Sequence, residues 1–565
     1  MTGAAAAAAG SAATLGCSTG AKKPPAAPPT FADTPAQGTA TATATPRATG
    51  DRRGETLRYA GFVTSGGSHD PHKTQSGPFY GHQSLVFSRL LTYKNFATGD
   101  IENDLAKAYQ QPDNQTYVFT LNPLARWQQR ALVNGRQVTA EDVKFSIERQ
   151  INGDASFPRK ARWLGVDKVE VPEPGIVKVT MKSPLATMLN NFADVNAFIV
   201  PPELSIEGRD IPIDLQFGSG PFQWVDWKEG QFASVARNPA WFRGKDRPYL
   251  DGVDLQHARA AGDLEAGLRT KKLDVVFVGR PAAEKLKKSV PDLRDQMIGN
   301  AAFFGMWFFL RQQPFNDERF RQAINIALDR RAMVEKFFSG SGGINPWISW
   351  PLSRWSLPQN ELTNLPGYRA GQGGRDQDIA EARALLTAYT GDKKLDGEIP
   401  LFVVDDAEAS LQLGSTVAAQ LKANLGLDVK VFAFKVGELF QRMLTGEAPW
   451  VVGLDSGSVD LDDWLYPYFH SQGTKNTFAL RDPDLDKLID AQRLEFNEAK
   501  RRDVGYEAQR RLQKLSAGLN FVSERVVALA WPYVRDFPLD VLDGYQGRFA
   551  DCWIDRGDPS FRGRG

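Results

Sequence analysis

Cysteine is nearly absent from this chain. Its 565 residues hold two, Cys17 and Cys552, which excludes a disulfide framework and any Cys-rich zinc or iron–sulfur site. Histidine is almost as scarce, at five. Net charge is missing as well: 68 Lys+Arg against 67 Asp+Glu leave +1, so no global field recruits nucleic acid or an anionic membrane surface. Long apolar runs are lacking too. The most apolar internal stretch, Ala301–Leu310, is ten residues, about half of the ~20 a membrane-spanning helix needs, and reads as a buried strand. There is no GxxxxGK[ST] phosphate loop, no GxSxG nucleophile elbow and no HExxH zinc helix.

What is present is length and aromatic mass. The length is too great for one hydrophobic core and implies two to four domains. Hydrophobic residues at 42% and charged ones at 24% are ordinary for a globular protein. Thirteen Trp and 34 Phe are the unusual entries, since large rigid rings either fill cores or line pockets.

The N-terminus has its own character. Residues 1–20 carry no charged side chain, and six alanines from Ala4 lead to Thr14-Leu15-Gly16-Cys17, small residues before a cysteine as at the end of an export signal. The stretch from Ser18 to Thr56 holds Pro24, Pro25, Pro28, Pro29, Pro35 and Pro46 with alternating Thr-Ala. It lacks the apolar surface to offset its ordering entropy and reads as a disordered tether. Leader, cysteine and tether are the layout of a bacterial lipoprotein with Cys17 as the lipidation site. Cys552 is then an unpaired, small buried residue.

The folded body mixes helices and strands from about Leu57 onward. Phe320, Ala323, Ile324, Ala327 and Leu328 share one face of a helix over Asn316–Leu328. Asp329 caps the next helix, with Met333, Val334, Phe337 and Phe338 as its buried stripe, and Gly340-Ser341-Gly342-Gly343 reads as a C-cap turn. Thr139-x-x-Asp142 is a capping-box start. Phe222 through Lys228 and Phe232 to Arg237 read as a hairpin. Ile399–Val404, a helix ending near Leu425-Gly426, Val429–Phe434, a helix Glu438–Leu444 and Val451–Leu454 form a βαβαβ series. That order implies a parallel sheet with right-handed crossovers. The fold class is α/β.

Two charged features have plain readings. His69-Asp70-Pro71-His72 with His82 suggests a metal site, but no clear further ligands follow, so solvated loop histidines are expected. Lys500, Arg501, Arg502, Arg510, Arg511 and Lys514 sit among Leu512 and Leu515 at helical spacing and read as a solvated helix face.

Five segments, in order, resemble the extracellular solute-binding proteins of ABC importers, family 5, the dipeptide/oligopeptide and nickel group. They are Asp70-Pro71-His72-Lys73; Val138-Thr139-Ala140-Glu141-Asp142-Val143-Lys144-Phe145-Ser146; Gly218-Ser219-Gly220-Pro221-Phe222 followed by Arg237-Asn238-Pro239 and Trp241; Pro314-Phe315-Asn316-Asp317-Glu318-Arg319 with Ala327-Leu328-Asp329-Arg330; and Asp460, Asp462 with Trp464-Leu465. They spread over roughly 400 residues of the chain, which makes coincidence a poor explanation.

The resemblance implies a two-lobed periplasmic-binding-protein type II fold, a Venus flytrap with an extra domain and mixed sheets flanked by helices. Residues 1–17 would be the leader and 18–56 the tether. Residues 57–305 plus 523–565 would form the first lobe, with an insertion at about 91–210, and 306–522 the second. It implies a monomeric, exported receptor held at the membrane by a lipid anchor alone. Such a receptor closes on a solute and hands it to a permease driven by separate ATPase subunits, with no cofactor, resident metal, catalytic residue or nucleic acid.

Peptide-binding relatives hold the α-amine with an aspartate seven residues before the aromatic of the last segment. That place is Gly457 here, and Asp455 is the nearest carboxylate. A peptide with its amine on Asp455 is therefore one expectation. An oligosaccharide stacked on Trp450, Trp347 or Trp350 is another, with a nickel complex and a hydrolase on the same fold further off. Trp347, Trp350 and Trp355 form one cluster whose rings could face the cleft or pack in the core. Gln75 and Gly77, just beyond Asp70-Pro71-His72-Lys73, are further candidate ligand contacts. Asp460 and Asp462 are expected mainly as caps and turn formers.

Overall fold

The computed structural model describes residues 51–61, 68–74, 77–95, 98–154, 156–205, 209–244, 246–257, 261–299, 303–344, 352–391, 393, 395, 397–405, 408–455, 460–538 and 544–564. Cys17, the tether up to residue 50, Gln75, Trp347 and Trp350 lie outside the described residues.

Two large apolar cores organise the fold, with Phe402, Leu439, Ala448 and Val451 forming a small third cluster. One draws on residues from Leu57 to Leu293 and again from Val527 to Ile554, and the other on residues from Phe304 to Val522. A single 12-stranded sheet, counted over the described residues, runs through both. From one edge its order is Val429–Phe434, Ile399–Val404, Trp450–Asp455, Phe303–Phe308, Gly518–Ala530, Val275–Gly279, Thr56–Gly61, Gly252–His257, Phe232–Arg237 and Phe222–Lys228. The strand Gly518–Ala530 does the joining. Its first half pairs with Phe303–Phe308 in the second core, and its second half with Val275–Gly279 and Arg294–Gly299 in the first. The ladder shifts register between Phe304 and Gly305, a local irregularity of the kind that lets a strand bend.

The local rules read from the sequence produce most of these elements. Ile399–Val404, Val429–Phe434 and Trp450–Asp455 are mutually parallel and connected by the helices Glu408–Leu425 and Val436–Thr445. The short apolar run becomes the strand Phe303–Phe308, with Met306 and Phe308 fully buried. Among the described residues no helix is long and apolar enough to cross a membrane. Asp317 caps Glu318–Ala327 and Asp329 caps Arg330–Phe338, each accepting from a backbone N–H of its first turn. Cys552 is free and fully buried.

The helix Ala140–Asn152 begins with a complete capping box between Thr139 and Asp142. It packs on a separate antiparallel sheet ordered Ala106–Asp113, Thr116–Leu121, Ile176–Met181, Val166–Glu173. The Gly218-Ser219-Gly220 segment is glycine-rich for a steric reason. Gly220 N–H donates to the Val86 carbonyl at 2.7 Å, and a Cβ on Gly220 would sit 2.6 Å from that carbonyl carbon. Backbones that approach so closely leave no room for a side chain.

Candidate functional site

In open α/β sheets ligands lie at the carboxyl ends of the parallel strands. In the second core one such end is Asp455, the last residue of Trp450–Asp455, paired with Phe303 where the chain enters that core. In the first core the helix Gly77–Val86 follows the carboxyl end of Thr56–Gly61, and Gly77 is its first residue. Trp450 lies at the opposite end of the strand, about 16 Å from Asp455 at ~3.3 Å per residue. Its ring is fully buried against Phe308 and Phe315, with centroids 5.9 Å away in both cases. The structure corrects the expectation of a stacking face there, because period-2 alternation turned the indole into the core. Trp355 is likewise buried, lying 4.8 Å beneath the Arg501 guanidinium.

The histidines also depart from expectation. His72 is buried, with Nε2 on the Phe198 carbonyl at 2.8 Å and Nδ1 against Arg149 at 2.9 Å. Burial and the neighbouring Arg149 charge push its imidazole down to about 4, so it is neutral at pH 7. His82 is enclosed by Phe79, Trp224 and Trp227, and burial alone pushes it down to about 3. Neither is a solvated loop residue. Among the described residues no group of three or more His, Cys, Asp or Glu is placed to hold a metal ion.

Asp70 anchors this region. Its carboxylate accepts from Arg149 Nη1 at 3.0 Å and Nη2 at 2.6 Å, from His72 N at 2.9 Å and from Ile211 N at 3.0 Å. Burial pushes the carboxyl up, but these donors and the Arg149 charge outweigh it, and the group ends below the usual carboxylate range. Two of the segments noted in the sequence thus meet here, since Arg149 sits on the helix begun by Thr139.

A second set of charges spans the two cores. Arg162, in the first, pairs with Asp194 at 3.2 Å and with Asp463 of the second at 2.7 Å. Asn190 Nδ2 donates to Asp460 Oδ2 at 2.8 Å, Ala186 N donates to the Arg493 carbonyl at 2.8 Å, and Arg354 donates to the Thr98 carbonyl. Asp460 caps the helix Leu461–Phe469, as expected of it, and also holds the buried guanidinium of Arg501. Arg501 therefore leaves the solvated face read from the sequence. Burial pushes the Asp463 carboxyl up to about 6, against the pull of Arg162 and with the push of the nearby Asp460 and Asp194 charges. Sequence reasoning passed over Arg162, Asn190 and Asp463, which carry no local signal except that Asp463 adjoins Asp462.

A family model for bacterial extracellular solute-binding proteins, family 5 (middle), matches residues 100–476. The oligopeptide-binding protein AppA of Bacillus subtilis is 26% identical over 373 residues, covering 63% of this chain and 66% of that protein. The glutathione-binding protein GsiB of Salmonella typhi is 26% identical over 286 residues, covering 48% of this chain and 54% of that one. The chain thus spans between half and two thirds of the length of these relatives. Among solved structures, the periplasmic binding protein DppA of Helicobacter pylori, in complex with peptide STSA, superposes with a TM-score of 0.73 at 19% identity, covering 89% of this chain and 99% of that one. That likeness shows the same two-lobed fold. With the family model spanning more than half of its length, the chain belongs to the bacterial extracellular solute-binding proteins of family 5, a family of binding proteins and not of enzymes.

Proposed function

We propose that the chain is the substrate-binding receptor of an ABC importer and captures peptides by hinge closure. Residues 57–305 with 523–565 would move as the first lobe and 306–522 as the second, about the strand shared by both cores. The observation that carries the reading is the place of Asp455, at the carboxyl end of a parallel strand where the chain passes between cores. A peptide's α-ammonium, removed from water, needs such a carboxylate. The relatives named for oligopeptides and glutathione, and the neighbour holding a tetrapeptide, support the same solute class. An oligosaccharide loses its support at Trp450, which has no free face. Gly77, with Gln75 before it, would complete the contacts from the first lobe.

Delivery would be to a membrane permease with its own ATPase, from a monomer tethered outside the cytoplasmic membrane through a lipid on Cys17. A thermal-shift screen against di- to nonapeptides, sugars and nickel complexes tests the solute. A ligand at 100 times its Kd adds ~2.7 kcal/mol of stability. A shift with sugars and none with any peptide would overturn the peptide reading. For the anchor, metabolic labelling with a palmitate analogue should mark the protein, and label persisting in Cys17→Ala would refute that assignment.

A further inference from the structure

The side-chain contacts between the cores are mostly ionic and partly buried. Arg162 stands on the short turn Lys160–Arg162 of the first core, held there by Asn191 Oδ1 at 3.2 Å and Asp194 at 3.2 Å, and reaches Asp463 across the boundary. Asp463 lies in the first turn of Leu461–Phe469, whose Leu461, Trp464 and Leu465 are buried in the second core. Asn190 reaches the cap Asp460 of the same helix from the same side. The joint is therefore a rigid helix start docked on a rigid turn. The helix start belongs to the second core and the turn is tied to Asn191 and Asp194 of the first, so separating the lobes must break the joint as a unit.

We propose that this joint is a proton-sensitive latch that sets the balance between open and closed lobes in the absence of solute. The reading rests on the two-lobed receptor proposed above. The groups facing Asp463 are Arg162 and Arg159 from the turn, Asp194 from the segment after it, Tyr93 from the strand Leu91–Asn95, Asp460 on its own helix, and Arg501 from Glu498–Leu515. Arg162 is shared between Asp194 and Asp463, so Asp463 has part of one guanidinium as its ion-pair partner while being largely screened from water. With the two cores in contact, the arrangement assigned to the closed form, its carboxyl sits at about 6. With the lobes apart it is hydrated and returns toward the usual ~3.9. Closing thus takes up a proton between those two values.

The direction follows from linkage. A carboxyl whose affinity for protons is higher in the closed form favours that form as pH falls, and the benefit is lost as pH rises through about 6. Between pH 7 and pH 5 the closed-to-open ratio rises about tenfold. Asp194 and Asp460 are held below the usual carboxylate range, so their opposing effect begins below that window.

Small-angle scattering on the ligand-free protein at pH 7 and pH 5 tests this, with circular dichroism confirming that each variant is folded. The wild type should become more compact at pH 5, with the closed-to-open ratio up about tenfold. Asp463→Asn, which keeps an acceptor for Arg162 and cannot titrate, should give the same ratio at both pH values. Asn190→Ala should lower the ratio at both and leave the pH response intact. A wild-type profile that does not change with pH, or an Asp463→Asn variant that responds like the wild type, overturns the latch. If Asp463→Asn does not fold, an Asn190→Ala ratio equal to wild type overturns it. No solute enters the experiment, so a peptide screen without a binder would sink the receptor reading and leave the latch standing.

Discussion

The Asp70–Arg149 pair and the Asp463–Arg162 pair have the same chemistry and opposite electrostatics. Asp70 is fully buried inside one core and is held below the usual carboxylate range. Asp463 bridges two cores and is pushed up to about 6. Burial alone raises both. The difference is what else each oxygen touches. Asp70 has a whole guanidinium in a two-point grip and two backbone N–H donors. Asp463 shares Arg162 with Asp194 and feels the charge of Asp460 behind it. A carboxylate within a core is satisfied once, at folding. One between cores remains partly satisfied, and its ionisation can then report lobe separation.

The comparison breaks most visibly through its cations. Arg149→Ala leaves a buried Asp70 charge with no counter-charge and should cost about 3–5 kcal/mol of stability in urea unfolding. Part of that loss should vanish in acid. A depressed carboxyl stabilises the fold above the ordinary carboxylate range and loses that contribution as pH falls through its folded value. Arg162→Ala should cost clearly less than Arg149→Ala, since the lobes can part and let Asp463 hydrate while Asp194 keeps Arg159 as a counter-charge. Equal losses would mean that the bridge is as much a part of the core as the Asp70 knot.

How far these pairs were legible in the sequence depends on range. Thr139-x-x-Asp142, Asp317, Asp329 and the βαβαβ order are written within a few residues, and the structure contains them. Arg149 and Asp70 are 79 residues apart, and nothing local tells a paired arginine from a solvated one. The same limit hid Arg501, which lies in a basic run and turns inward to Asp460, and His72, buried beside Arg149. Trp450 failed for another reason. Alternation along a strand says which residues share a face without saying which face is the core. For the site, spacing from Trp464 leads to Gly457, and Asp455 is a candidate only as the nearest carboxylate, while Trp347, Trp350 and Gln75 lie outside the described residues.

A third kind of pair sharpens the contrast, one whose cation arrives with the solute. If a peptide's ammonium meets Asp455, Asp455→Ala should weaken binding at least a hundredfold, the equivalent of ~2.7 kcal/mol. N-acetylating the peptide should cost a similar amount, and the two losses should not add. Calorimetry on wild type and variant with both peptides decides it. Unchanged affinity in Asp455→Ala would remove this aspartate from the site.

Asp463 should then be visible in affinity as well. Where the open form dominates without solute, apparent affinity scales with the closed fraction. A peptide should bind up to about tenfold tighter at pH 5 than at pH 7, and Asp463→Asn should abolish that difference. A pH difference retained in Asp463→Asn would assign the titration to another group, such as the ligand's own.

The smallest effect belongs to the cap beneath Arg149. Thr139 Oγ1 accepts from Asp142 N at 3.3 Å, while Thr139 N donates to Asp142 Oδ2 at 2.8 Å. Asp142 has stronger ties elsewhere, to both Arg136 Nη atoms at 2.7 Å and to Trp127 Nε1 at 3.2 Å. Thr139→Ala removes the weaker half of the box alone and should cost about 0.5–1 kcal/mol, with Thr139→Ser restoring it. Because the helix is then loosened at its start, three turns from Arg149, the acid sensitivity attributed to Asp70 should be unchanged. A Thr139→Ala variant that also shifted the acid unfolding midpoint would show that the grip on Asp70 depends on the helix start, and the two pairs would differ by less than their geometry indicates.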